Sequence, residues 1–287
     1  MERIRNSWSL IQASWSVLKA DKELAIFPVI SAVGVILVSL TFILPMFAAG
    51  LFDSLLGENV DIFAYLVMFV YYVITYAVIF FANSALMGAA MIRLRGGDPT
   101  VRDGLNIARE NLGSILGYAV IAATVGMILR IISERMGAIG RIIIGLMGMA
   151  WTLATYLVVP VLVVEKTSPI DSIKRSTELL KQTWGEQIAG NLGIGLVFGL
   201  MFFAVIIVTV FLAIALGAAE MIGLMFTVIG IGVLTVLLLS VVSSTLTSIY
   251  TAAVYLYAAE GQSSEWFDKE LIAQAFKVKE KRGWFNR

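Results

Sequence analysis

The chain has 287 residues, of which 59% are hydrophobic and 14% charged, and its formal net charge is +1. Soluble domains carry about 45–50% apolar and about 25% charged residues, so a chain with mean hydropathy +0.91 would expose large apolar patches in water, and lipid must be its main solvent. The chain contains no cysteine and no histidine, which excludes disulfides, thiolate nucleophiles, Cys/His metal centres and every histidine-based triad or proton shuttle.

Residues 1–23 are largely polar and read as an amphipathic N-terminal helix. Ile4, Trp8, Ile11, Trp15 and Leu18 recur at steps of four and three, which sets them on one face, while Arg3, Arg5, Asn6, Gln12 and Lys19 fall elsewhere. A membrane domain over 24–259 follows, with apolar stretches at about 24–50, 62–92, 115–132, 141–164, 188–217 and 224–259. All but the third exceed the ~20 residues that a helix needs to cross ~30 Å of hydrocarbon, and the third is just long enough. Each is apolar all round, without the alternation of a transmembrane barrel strand, so helical hairpins are predicted. Residues 260–287 form a basic tail. A cleaved signal peptide is not expected, because the first apolar core is far longer than the about 7–15 residues of an h-region.

Of the 21 Lys and Arg residues, 18 fall before the first span, in the second-to-third and fourth-to-fifth connections, or in the tail; Arg130, Arg135 and Arg141 alone fall on the other side. The positive-inside rule then puts both termini in the cytoplasm of a multi-pass cell-membrane protein.

A repeat precedes each odd-numbered span. Ser7-Trp8-Ser9-Leu10-Ile11-Gln12-Ala13-Ser14-Trp15-Ser16 aligns with Ser176-Thr177-Glu178-Leu179-Leu180-Lys181-Gln182-Thr183-Trp184-Gly185 and, more weakly, with Gly104-Leu105-Asn106-Ile107-Ala108-Arg109-Glu110-Asn111-Leu112-Gly113. Shared features are a small residue first, an aliphatic fourth, Ser, Thr or Asn eighth and a large apolar residue ninth. The predicted fold is therefore all-α, with six transmembrane helices in three hairpin units, each preceded by an amphipathic interfacial helix. Trp8, Trp15 and Trp184 suit the headgroup boundary, with Lys174, Arg175 and Lys181 beside anionic lipid. Such segments either sense a lipid surface or dock a partner, or they are ordinary elbows between hairpins.

The run Pro169-x-x-Ser172-Ile173-Lys174-Arg175-Ser176-x-x-Leu179-Leu180-Lys181-x-x-Trp184, entering a Gly-rich span, resembles uncharacterised prokaryotic multi-pass membrane families that are similar to the membrane domain attached to some glycerophosphodiester phosphodiesterases. The resemblance implies no active site. The catalytic histidines of those enzymes have no counterpart in a chain without histidine, so their activity does not carry over.

No acidic residue lies mid-span, which argues against ion coupling through an intramembrane carboxylate. The neutral polar residues Asn191, Ser240, Ser244, Thr247, Ser248 and Thr251 could line a path for a polar solute, with Ser243 and Tyr250 at its border. Alternatively they serve packing, since Ser and Thr satisfy themselves on the carbonyl of the preceding turn. Gly113 with Gly117, and Gly195 with Gly199, are spaced for close helix crossings, and kinks are expected at Pro45 and Pro160. No catalytic, cofactor-binding or metal-ligating set is recognisable, and the basic tail reads as a membrane-surface segment in preference to a nucleic-acid binder. The expected function is non-enzymatic: a multi-pass protein that organises lipid, which is expected to be anionic, or supports a membrane-protein partner. The alternative is a permease or channel for a small or amphiphilic solute.

Overall fold

In the computed structural model the described residues are 2–48, 62–184, 193–262, 264–267 and 272, and among them there is no strand. They form α1 (Glu2–Ala20), a 3₁₀ turn (Lys22–Ala25), α2 (Ile26–Ala48), α3 (Ile62–Leu94), α4 (Val101–Glu110), α5 (Leu112–Arg135), α6 (Ala138–Ala154), α7 (Val158–Val164), α8 (Pro169–Trp184), α9 (Gly193–Ala218) and α10 (Ile222–Glu260). Six segments are long and apolar enough to cross a membrane: Lys22–Phe47, Ile62–Leu94, Leu112–Arg135, Ile139–Val164, Val197–Ala218 and Ile222–Glu260. The protein is thus an all-α multi-pass membrane protein in which α1, α4 and α8 each precede a hairpin. The third span, 24 residues long, exceeds its apolar core of 115–132 because the helix includes Leu112, Gly113 and Ser114 before it and Ser133, Glu134 and Arg135 after it.

The chain divides into two compact units, Ile26–Leu180 and Met1–Ala25 with Lys181–Arg287. In the first, α3 is the hub and packs against α2, α4, α5 and α7. Its length explains how. Residues 62–81 are mostly exposed or half-buried, a stretch of about 30 Å. Ala82, Ser84 to Met91 and Leu94 are then buried on every side. Small residues make this possible. A Cβ on Gly88 would stand 2.8 Å from Ile107 of α4, and one on Gly104 of α4 would stand 2.6 Å from the Ala85 carbonyl oxygen and 2.5 Å from the ring of Phe27. The turn between α3 and α4 uses Gly96 at φ +87, a conformation that side chains with a Cβ rarely adopt.

The second unit is built on the α9–α10 hairpin, with α1 packed against both helices. The hairpin closes where Gly232 meets the side chain of Thr209, leaving no space for a Cβ. Helix α10 shows the same division as α3: residues 222–244 are exposed or half-buried apart from Gly232, while Thr245, Leu246 and Ile249 to Leu256 are buried.

Candidate functional site

The fourth predicted span is two helices. Pro160 has no N–H to offer the carbonyl four residues back, and the chain breaks just before it, between α6 and α7. There the N–H groups of Tyr156 and Val158 turn to the carbonyls three residues back, Leu153 and Thr155, at 3.1 Å each. This shift strands the Leu157 N–H and the Ala154 carbonyl. Both are met by adjacent residues of α8: the Leu157 N–H donates to Ser176 Oγ at 3.0 Å, and the Thr177 hydroxyl lies 3.4 Å from the Ala154 oxygen and 2.9 Å from that of Ile173. Leu157 and Ser176 are both fully buried. Pro45, by contrast, is accommodated within an unbroken α2.

Two N-terminal caps hold the short helices in place. Thr100 and Asp103 form a capping box on α4, and at the start of α8 the Ser168 hydroxyl donates to the Asp171 carboxylate and accepts from the Asp171 N–H. The Thr100 hydroxyl and N–H hold the Asp103 carboxyl below its usual range, and Ser168 with Lys174 does so for Asp171. Between the helices, Lys166 pairs with Glu110 at 3.0 Å, and Pro169 fills the space beside Gly117.

The expected membrane-facing residues are placed as follows. On α1, Trp8 and Trp15 are exposed, but Ile11 and Leu18 turn inward with Leu10, Ser14 and Val17. The single apolar face predicted from spacing is therefore split, because α9 and α10 cover one flank of it. Lys19 lies beside the exposed flank, its Nζ 6.0 Å from the centre of the Trp15 ring. On α8, Lys174 pairs with Asp171, Arg175 with Glu165 at 3.3 Å and with Glu178 at 3.8 Å, and Lys181 is exposed. The Trp184 side chain lies outside the described residues.

The five described residues of the proposed polar path share one face of the unbroken α10 but differ in burial along its length. Asn191 lies outside the described residues. Ser240 and Thr247 are exposed, Ser244 and Ser248 half-buried, and only Thr251 of the five is buried. The buried border includes Tyr250 and also Thr245, which the spacing argument had not placed on the face. Ser240, Thr245 and Thr251 each donate to the carbonyl four residues back at 2.8 Å, which is the packing alternative. Gly195, Gly199 and Gly113 meet no atom within 4 Å among the described residues, whereas the fourth expected glycine, Gly117, lies against Pro169; the further close approaches fall at Gly34, Gly88, Gly104 and Gly232.

One arrangement was not anticipated as a site. Tyr72, Tyr76 and Phe80 stack along α3 at successive turns, with ring centroids 6.2 and 5.7 Å apart, and Phe80 meets Tyr118 of α5 at 4.5 Å. At the other end of the stack, Arg130 of α5 donates to the Tyr72 hydroxyl and to Glu134, each at 2.8 Å. The spacing of four between the three α3 aromatics was visible in the sequence; their pairing with α5 was not.

No curated protein matches the chain, and no solved structure does. Residues 62–265, running from the first residue of α3 past the end of α10, match a family of unknown function, DUF6159. That stretch covers well over half of the 287 residues and contains the hub helix, the broken span and both long helices, so the chain belongs to the DUF6159 family.

Proposed function

We propose that this protein is a non-enzymatic component of the cell membrane that organises anionic lipid at the cytoplasmic surface and thereby supports membrane partners, with both termini in the cytoplasm. The observation that carries this reading is the exposed face of α1, where Trp8 and Trp15 remain open, Trp15 beside Lys19, while the other flank is covered by α9 and α10. A tryptophan paired with a cation suits the headgroup layer, where its ring is half in hydrocarbon and the ammonium faces lipid phosphate. The distribution of 18 of 21 cations to one side supports the orientation. The likeness to phosphodiesterase-associated membrane domains rests on the 169–184 run alone and adds no activity to this reading.

The test is a Trp8→Glu, Trp15→Glu double substitution in the full chain, reconstituted in vesicles containing phosphatidylglycerol. Protease cleavage within residues 1–23 is expected to accelerate; unchanged protection overturns the reading. The permease alternative draws on the break between α6 and α7, because discontinuous helices build many transport sites. Here, however, Ser176 and Thr177 already occupy the freed backbone groups, which favours the scaffold.

A further inference from the structure

Arg130 lies in a span of otherwise apolar character, five residues before the end of α5. An arginine on a lipid-facing helix is retained only where its charge is used or satisfied. Its guanidinium is partly satisfied: Nε donates to Glu134 and one terminal nitrogen to Tyr72 and the sulfur of Met68. The other terminal nitrogen has no partner among the described residues, and the side chain is 47% exposed. Arg135 and Arg141 are exposed on the same connection. With Glu134 as the sole acid between 130 and 141, three positive charges and one negative leave that end of the hairpin at +2. From Arg130 the half-buried stack of Tyr72, Tyr76 and Phe80 leads along α3 for about 12 Å toward the middle of the span. A fork of donors five residues from the end of α5, continued by an aromatic stripe along α3, is complementary to an amphiphile with an anionic head and an acyl chain.

We propose that Arg130 and Tyr72 form a binding site for the phosphate of an anionic phospholipid in the leaflet away from the chain termini, with one acyl chain laid along Tyr76 and Phe80. Tyr72 orients the guanidinium, whose open edge takes the phosphate oxygens, and Arg135 and Arg141 raise the local concentration of anionic headgroups. The site extends the lipid-organising reading to a second leaflet but uses none of the residues of α1.

The protein is reconstituted in nanodiscs of equimolar phosphatidylglycerol and phosphatidylcholine, and retained lipid is counted by native mass spectrometry. Phosphatidylglycerol is expected to be retained preferentially, and Arg130→Gln to reduce its retention about tenfold, the effect of one charge-assisted contact. Tyr72→Phe, which keeps the charge and the ring and so guards against loss of folding, should reduce it about threefold. Retention unaffected by either substitution overturns the site. Equal retention of the two lipids does so as well. Displacement of the lipid by millimolar glycerol phosphate would reassign the site to a soluble anion and overturn the lipid assignment. Protease protection of residues 1–23 in the unsubstituted protein, read in the same discs, separates the two proposals: no protection with preferential retention intact defeats the proposed function alone, and protection without preferential retention defeats this site alone.

Discussion

The backbone N–H of Leu157 and the hydroxyl of Ser176 meet at 3.0 Å across two helices, and both residues are fully buried. This contact joins a helix break dictated by Pro160 to the first position of the chain's internal repeat. At the same repeat position in α4, Gly104 lies against the backbone of Ala85. In both copies, then, a small residue lets the helix before a hairpin approach the main chain of a spanning segment.

Ser176→Ala leaves a buried N–H without an acceptor, a loss of about 1–3 kcal/mol. Thermal unfolding in detergent should show the decrease. Thr177→Val should cost less, because that hydroxyl lies closer to its own helix carbonyl than to Ala154.

Gly104→Ala sets a Cβ against the Ala85 oxygen and the Phe27 ring, and overpacking of this kind costs about 1–3 kcal/mol. Gly195→Ala meets open space and should stabilise α9 slightly or leave it unchanged. Equal unfolding temperatures for the two variants would refute the close approach.

The lowered carboxyls of Asp103 and Asp171 give a pH dependence of known sign. A group whose folded pKa is depressed contributes stability that is complete above its unfolded value, about 3.9 for aspartate, and that is lost as pH falls through the folded value. Helix content followed by circular dichroism should therefore be flat from neutral pH to about 5 and decline in the acid range below. Asp103→Asn with Asp171→Asn should remove part of that acid decline while lowering stability at pH 7.

Single cysteines at Ser244 and Ser248 test the α10 hydroxyls, in a chain with no native thiol. Uniform protection from a small water-soluble thiol reagent is expected. Labelling at both positions would establish an aqueous path and favour the permease.

Reporter fusions at Arg287 and within residues 53–61 should report opposite sides of the membrane, the first cytoplasmic. A non-cytoplasmic signal from the C-terminus would reverse the orientation.

What the sequence by itself determined follows from local physics. Twenty or more apolar residues in a row leave the backbone no alternative to internal hydrogen bonds, so the six spans and the all-α class were legible. An irregularity near Pro160, which removes a donor, was legible too, but not that the span breaks into two helices there while α2 runs on unbroken through Pro45. Periodicity also marked α1 as two-faced. It could not say that Ile11 and Leu18 would be covered while Trp8 and Trp15 stayed open, because which flank of an apolar stripe is buried depends on the neighbours, and α1 takes its neighbours from α9 and α10, far along the chain. The same holds for the glycines: spacing singled out Gly195 and Gly199, but a close crossing needs a neighbour opposite, which Gly34, Gly88, Gly104, Gly117 and Gly232 have in another segment and Gly195 and Gly199 do not have among the described residues. Tertiary structure alone brought Arg130 to Tyr72, residues 58 positions apart. A partner for a charge inside a membrane is chosen by whichever helix lies alongside, and no local pattern encodes that choice.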